Sequence, residues 1–191
     1  MKNSEYELKL MLEKDEYEHL LDYKVSETVQ TNYYFDNYVL DVYHHKLSLR
    51  IREKNGQYEL TSKSKKNKSI HEGIIMMEEN NQSISPEEFS SIMKNERNIS
   101  EFLHCEFSQL KCIGSLKTLR TNLKLDENLP QAELDMNEYN NIKDYELEWE
   151  IEKEMYPEVI EILKSLGITL ENREVGKSKF VRFIKSLQNV D

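Results

Sequence analysis

Tyr145-Glu146-Leu147-Glu148-Trp149-Glu150-Ile151-Glu152 alternates large apolar side chains with glutamates along its whole length. Successive side chains of a β-strand point to opposite faces. The segment therefore reads as a strand with Tyr145, Leu147, Trp149 and Ile151 on one face and four carboxylates on the other. An ordinary half-exposed sheet, apolar inside and charged outside, explains any one such strand. Here the division recurs with other charges. Glu5, Glu7, Lys9 and Met11 oppose Tyr6, Leu8, Leu10 and Leu12. Arg50 and Arg52 oppose Leu49 and Ile51, and Glu59, Thr61, Lys63 and Lys65 oppose Tyr58 and Leu60. Thr118, Arg120, Asn122 and Lys124 oppose Leu119, Thr121, Leu123 and Leu125, and Glu133 and Asp135 oppose Ala132, Leu134 and Met136.

Around these segments the punctuation is that of an antiparallel sheet. Asn55-Gly56 between 46–53 and 57–65 is a strong hairpin signal. Further strands are expected over 28–36, 71–78, 110–125, 131–139 and 143–152. Helices are expected over 15–25, 157–167 and 177–187. Another starts at Ser85-Pro86-Glu87-Glu88, an N-cap followed by Pro at the first helical position and a capping-box Glu, and runs to about Lys94. A further helix is expected over 100–107, and the lysine run 63–68 suits an exposed turn. No repeat or Pro/Gly/Ser-rich linker divides the chain, so a single domain over 1–191 is expected.

Composition bounds the function. The chain has 191 residues and a formal charge of −10, with 32% charged and 38% hydrophobic residues. That charge disfavours a broad nucleic-acid surface. No apolar run reaches the ~20 residues that span a bilayer, and the N-terminus lacks a signal-peptide apolar region. With only two cysteines, Cys105 and Cys112, no disulfide framework is possible and a cytoplasmic setting is expected. The five glycines cannot write GxGxxG, and Gly176-Lys177-Ser178 lacks the P-loop glycine because position 171 is Glu171.

The helices need an apolar sheet face to cover. If the sheet closes into a β-barrel, its charged face lines the interior. Segregated acids and bases there are costly to desolvate without ions or a ligand. Paired carboxylates suit hard cations such as Mg²⁺ or Mn²⁺, and Arg and Lys suit phosphate oxygens. The pattern points to a metal-dependent polyphosphate site.

Glu5-Tyr6-Glu7-Leu8-Lys9 resembles the ExExK signature of the CYTH, or triphosphate tunnel metalloenzyme, superfamily. Tyr34-Phe35-Asp36, Leu49-Arg50-Ile51-Arg52, Leu60-Thr61-Ser62-Lys63, the strand with Arg120, Leu134-Asp135, Tyr145-Glu146-Leu147-Glu148 and Ser178-Lys179-Phe180 follow in the family's order. The resemblance covers nearly the whole chain and is nearest the YjbK-like branch of Gram-positive bacteria. It implies an α+β fold, an eight-stranded antiparallel tunnel flanked by helices, holding a small-molecule triphosphate with one or two divalent metals. It implies metal binding by Glu5, Glu7, Asp135 and one or more of Glu146, Glu148 and Glu150, with Glu148 the first choice. Lys9, Arg50, Arg52, Lys63, Arg120 and Lys179 would hold phosphate oxygens, and Lys65 and Lys124 would be rim charges. Glu5, Glu7, Lys9 and Arg52 are the expected catalytic set. One departure stands out: His71-Glu72 replaces the Arg-Glu of many members, making the grip on one phosphate dependent on pH. The leading expectation is triphosphate hydrolysis. The alternatives are a class IV-type adenylate cyclase and a non-catalytic binder of a triphosphate or phosphorylated metabolite.

Overall fold

The computed structural model describes residues 5–65, 77–102, 107–170 and 177–188; the side chains of residues 5, 6, 64, 65 and 77–79 are outside that description. In chain order the elements are β1 (Glu5–Leu12), α1 (Lys14–Leu20), β2 (Lys24–Asp36), α2 (Asp41–His44), β3 (Leu47–Lys54), β4 (Gln57–Lys65) and β5 (Met77–Ile84). Then come α3 (Pro86–Met93), β6 (Lys111–Leu123), β7 (Ala132–Tyr139), β8 (Ile142–Glu152), α4 (Tyr156–Ser165) and α5 (Lys179–Gln188). The strands form one eight-stranded sheet in the order β1-β8-β7-β6-β2-β3-β4-β5. The β1/β8, β2/β3, β3/β4, β4/β5 and β7/β8 ladders are antiparallel. This is the α+β, eight-stranded antiparallel architecture with flanking helices that the sequence leads one to expect; in its hydrogen-bonded order β1 and β5 are the end strands. No helix among the described residues is long and apolar enough to cross a membrane.

The hairpin at Asn55-Gly56 forms as the sequence requires. Both residues have positive φ, 53° and 75°, and Lys54 pairs with Gln57 across the turn. That is the twist a two-residue hairpin turn needs. Asn140 and Asn141, at φ 45° and 62°, repeat the device between β7 and β8. At the start of α3 the Glu88 amide donates to Ser85 Oγ (3.1 Å) and the Ser85 amide to Glu88 Oε2 (2.8 Å).

Four segments differ from the sequence reading. The helix expected over 15–25 ends at Leu20, followed by a 3₁₀ turn at Leu21–Tyr23, and β2 begins at Lys24. Its first residues are exposed, so no apolar alternation reveals them. Only a 3₁₀ turn, Ile99–Phe102, is described within 100–107. The strand expected over 71–78 is described from Met77 onward, and it runs on to Ile84; His71 and Glu72 lie outside the described residues, as do positions 66–68 of the lysine run. The short helix α2 follows the buried Asp36, whose Oδ1 accepts from the Val42 amide (2.9 Å) and Oδ2 from the Tyr43 amide (3.0 Å).

The chain divides into two compact units. The first is Met1–Val29 with Thr118–Arg182, and the second is Gln30–Lys117 with Phe183–Asp191. In the first, Leu10, Leu12, Leu134, Leu147, Trp149 and Ile151 form the apolar sheet face, covered by Tyr17 and Leu20 of α1 and Val159 and Leu163 of α4. The buried Trp149 donates its Nε1–H to the Pro130 carbonyl at 3.0 Å. In the second, Phe35, Leu49, Ile51, Leu60 and Ile84 pack with Val42 of α2 and Ile92 of α3, and the Tyr58 and Phe89 rings stack at 4.3 Å. Gly114 is required there, because a Cβ would lie 2.8 Å from Cζ of Phe183.

Candidate functional site

The site grows out of the polar face of the first unit. β8 lies between β1 and β7, and its register sets charged residues side by side. Glu148 is opposite Lys9 on one flank and Glu133 on the other, Glu146 is opposite Asp135, and Glu150 is opposite Glu7. Like charges directly across a ladder repel, so this face holds together only if cations enter it.

Four cations do. Lys9 Nζ lies 2.6 Å from Glu148 Oε1, 3.2 Å from Glu7 Oε1 and 3.4 Å from Glu146 Oε1. Arg120 grips Asp135 with two parallel bonds, Nε to Oδ1 at 2.8 Å and Nη2 to Oδ2 at 2.6 Å; Nη2 also reaches Glu148 Oε2 at 2.8 Å, and Nη1 pairs with Glu133. Such forked pairing is specific to arginine. Lys179, at the start of α5, places Nζ 2.9 Å from Asp135 Oδ2, 3.1 Å from Glu146 Oε2 and 3.0 Å from Glu148 Oε1. Arg182, one helical turn on, binds Asp144 Oδ2 through Nε (2.9 Å) and Glu146 Oε2 through Nη2 (2.5 Å). Behind it Asp144 also accepts from Tyr139 Oη (2.6 Å) and Asn137 Nδ2 (2.9 Å), and Asn137 Oδ1 accepts from Thr118 Oγ1 (2.7 Å).

Among the described residues this network joins the carboxylates of Glu7, Glu133, Asp135, Asp144, Glu146 and Glu148 to Lys9, Arg120, Lys179 and Arg182: six acids against four bases, 4 − 6 = −2. Asp135 and Glu146 are fully buried. Burial opposes charge on Lys9, Arg120, Lys179 and Arg182, but the facing carboxylates outweigh it and hold all four pKa values above their ordinary range. Burial likewise opposes the Glu148 carboxylate, yet Lys179 and Lys9 hold its pKa far below the usual range. Glu133 moves the other way: burial raises its pKa, against the pull of Arg120.

The donor chemistry fits a hard divalent cation. Glu146 Oε1 is buried and accepts no hydrogen bond, so one lone-pair-rich oxygen in the cluster lacks a full partner. In the same unit, Glu7, Gln131, Glu133, Glu148 and Glu150 line a cavity of about 70 Å³ with oxygen ligands of the kind Mg²⁺ and Mn²⁺ prefer. Among the described residues no three acidic, imidazole or thiol side chains form a ready-made metal cage. The geometry gives the reason: Lys9, Arg120 and Lys179 already stand between the carboxylates.

The residues singled out from the sequence do not all come together. Glu7, Lys9, Arg120, Asp135, Glu146, Glu148 and Lys179 meet in this network. Glu150 is exposed and lines the cavity without joining an ion pair shown for the cluster. Glu5 belongs to β1, with its side chain outside the description. Arg50, Arg52 and Lys63 belong to the second unit, on adjacent strands β3 and β4, where Arg52 Nε donates to Asn32 Oδ1 at 3.0 Å. Lys124 binds the Glu127 and Leu129 carbonyls at 3.1 and 2.9 Å, a loop-holding role. Sequence reasoning missed Arg182 and Asp144 and left Glu133 unassigned. Signals existed for all three: Arg182 is three residues from Lys179 on one helix face, Asp144 continues the Glu146 parity, and Glu133 shares that of Asp135.

A protein-family model, the CYTH domain, matches residues 3–184. YjbK of Bacillus subtilis (strain 168), a protein provisionally named a triphosphatase, is 29% identical over 153 residues, 76% of each chain. Among solved structures, a Bacillus halodurans protein provisionally named an adenylate cyclase is similar with a TM-score of 0.72 and 28% identity, covering 94% of this chain and 96% of that one. HpAC1 from Hippeastrum, provisionally named an adenylyl cyclase and described as having a dominant triphosphatase activity, gives 0.73 and 27%, covering 95% and 96%. With the match running through both units, the chain belongs to the CYTH domain family.

Proposed function

We propose that this protein is a divalent-metal-dependent triphosphatase acting on a small-molecule triphosphate. The observation that carries the reading is the convergence of Lys9, Arg120 and Lys179 on Glu148 beside the carboxylate-lined cavity. Relatives named for triphosphatase activity support the same reaction class. Glu7, Glu148 and Glu150, with Asp135, Glu146 and Glu133, are the residues to hold Mg²⁺ or Mn²⁺. A cation held there would neutralise phosphate charge and supply activation of a water for attack. Lys9, Arg120 and Lys179 exchange carboxylate partners for phosphate oxygens and stabilise the charge that grows on them during transfer. Water adds to the terminal phosphorus and gives up a proton to solvent, the bridging P–O bond breaks, and its electron pair leaves with the diphosphate. Asp144 and Arg182 hold Glu146 from behind.

The test is phosphate release from inorganic triphosphate, ATP and thiamine triphosphate, each with Mg²⁺, Mn²⁺ or chelator. Metal-dependent release that Glu7→Gln abolishes is the expected result. Cyclic AMP and diphosphate from ATP in place of phosphate would assign a cyclase instead. Tight metal-dependent binding with no turnover would assign a binder.

A further inference from the structure

The second unit carries an unexplained set of polar atoms on the strand face that bears Arg50 and Arg52. Asn32 of β2 is opposite Arg52 of β3, and Thr61 of β4 is opposite Arg50. Across β3, Arg52 therefore stands between Asn32 and Glu59, and Arg50 between Tyr34 and Thr61. Asn32 is fully buried and Thr61 is 1% exposed. Asn32 Nδ2 and Thr61 Oγ1 have no hydrogen-bond partner, nor does Nε2 of Gln30, two residues from Asn32 on the same face and 2% exposed. Buried polar groups are almost always satisfied, so three such atoms on the two strands that flank β3 need a cause.

The chemistry narrows that cause. Arg52 Nε can only donate, and it donates to Asn32 Oδ1 at 3.0 Å. That fixes the amide orientation and leaves Nδ2 as the unused end, a pure donor. Gln30 Nε2 is also a pure donor, and the Thr61 hydroxyl can donate. Amide donors and a guanidinium on one face suit a ligand rich in acceptor oxygens and lacking protons. Glu59, opposite Arg52 in register, is the acid of this face.

We propose that Asn32 and Thr61 are oxyanion-binding residues, Asn32 fixing Arg52 through Oδ1 while donating to a phosphate oxygen through Nδ2, and Thr61 donating through Oγ1. The identity of the anion as a triphosphate rests on the function proposed above. The two atoms are left unpaired because their partner arrives with the ligand, so the free protein is less stable than an apolar replacement would make it.

Calorimetric titration of inorganic triphosphate with Mg²⁺ into the wild-type chain, Thr61→Val, Thr61→Ser and Asn32→Ala tests this, with melting of each ligand-free protein alongside. Thr61→Val changes the hydroxyl and little else in volume. It is expected to raise the melting temperature of the free protein and to weaken triphosphate binding about tenfold, the scale of one hydrogen bond to a charged group. Thr61→Ser should keep the affinity. Asn32→Ala should weaken binding by more than tenfold, and combining it with Arg52→Lys should cost less than the sum of the two single losses, because the two residues act as a unit. If the wild type binds triphosphate and Thr61→Val and Asn32→Ala bind equally well, the inference is overturned while the triphosphatase reading stands. If the folded wild type binds no triphosphate, both fall.

Discussion

Lys179 Nζ lies 3.0 Å from Glu148 Oε1, a contact between the first turn of α5 and the centre of β8 across 31 residues of chain. The same ammonium is within 3.1 Å of Asp135 and Glu146. One lysine thus occupies the middle of a three-carboxylate cluster, the position a cation must take for those acids to be buried together.

Lys179→Met removes that cation. Lys9, Arg120 and Arg182 remain, but Asp135 and Glu146 stay buried with less compensation. We expect a loss of about 3 kcal/mol in urea denaturation, the scale of breaking a buried ion pair. Mg²⁺ should raise the melting temperature of the variant more than that of the wild type, because a divalent cation can replace the lost charge. Equal Mg²⁺ shifts would show that the metal does not take the place of the Lys179 ammonium.

Glu7→Gln tests the opposite corner of the cluster. The Glu7 side chain is 52% exposed, so stability should change by no more than about 0.5 kcal/mol. Metal-dependent phosphate release should be abolished, as a lost metal ligand requires. Unchanged turnover in the folded variant would remove Glu7 from the metal-binding set.

Glu148 should leave a mark on acid stability. Its carboxyl is held well below the ordinary 4.5, by Lys179 and Lys9 against the effect of burial. The folded state therefore binds the proton more weakly than the unfolded state. This contribution is fully present above pH 4.5 and is lost as the pH falls from 4.5 toward the folded value. Melting curves collected below pH 4.5 should show stability dropping with a shallower slope in Glu148→Gln; identical slopes would place the linkage on other groups.

Arg182→Leu separates the support of Glu146 from the site itself. It removes the bonds to Asp144 and Glu146 and should cost about 3 kcal/mol. Tyr139→Phe, which removes the 2.6 Å bond to Asp144 and the phenol's contact with Arg182, should cost about 1 kcal/mol. Because both act on one carboxylate, the double variant should lose a different amount from the sum. Strict additivity would show that Tyr139, Asp144 and Arg182 do not form one network.

Much of the frame was legible in the chain. Period-two alternation identified β1, β3, β4, β7 and β8, and the Asn55-Gly56 pair and the Ser85 capping box marked a turn and a helix start that form as read. Alternation also put Glu146, Glu148 and Glu150 on one face. It could not separate them, because parity fixes a face and not a neighbourhood. The register with β1 and β7, together with the arrival of α5, makes Glu146 fully buried, gives Glu148 three cations and leaves Glu150 exposed.

By itself the sequence determined which side chains face together along each strand, since that follows from local backbone geometry. It also carried the order of charged strands that marks the family. Only the tertiary structure decided which acid meets which base. Ion pairs such as Lys179–Glu148 and Arg182–Asp144 join residues more than thirty positions apart, and their partners depend on ladder register and on where a helix comes to rest. The unpaired atoms of Asn32 and Thr61 are of the same kind. An unsatisfied donor is a property of everything packed around it, and no local pattern of residues encodes that.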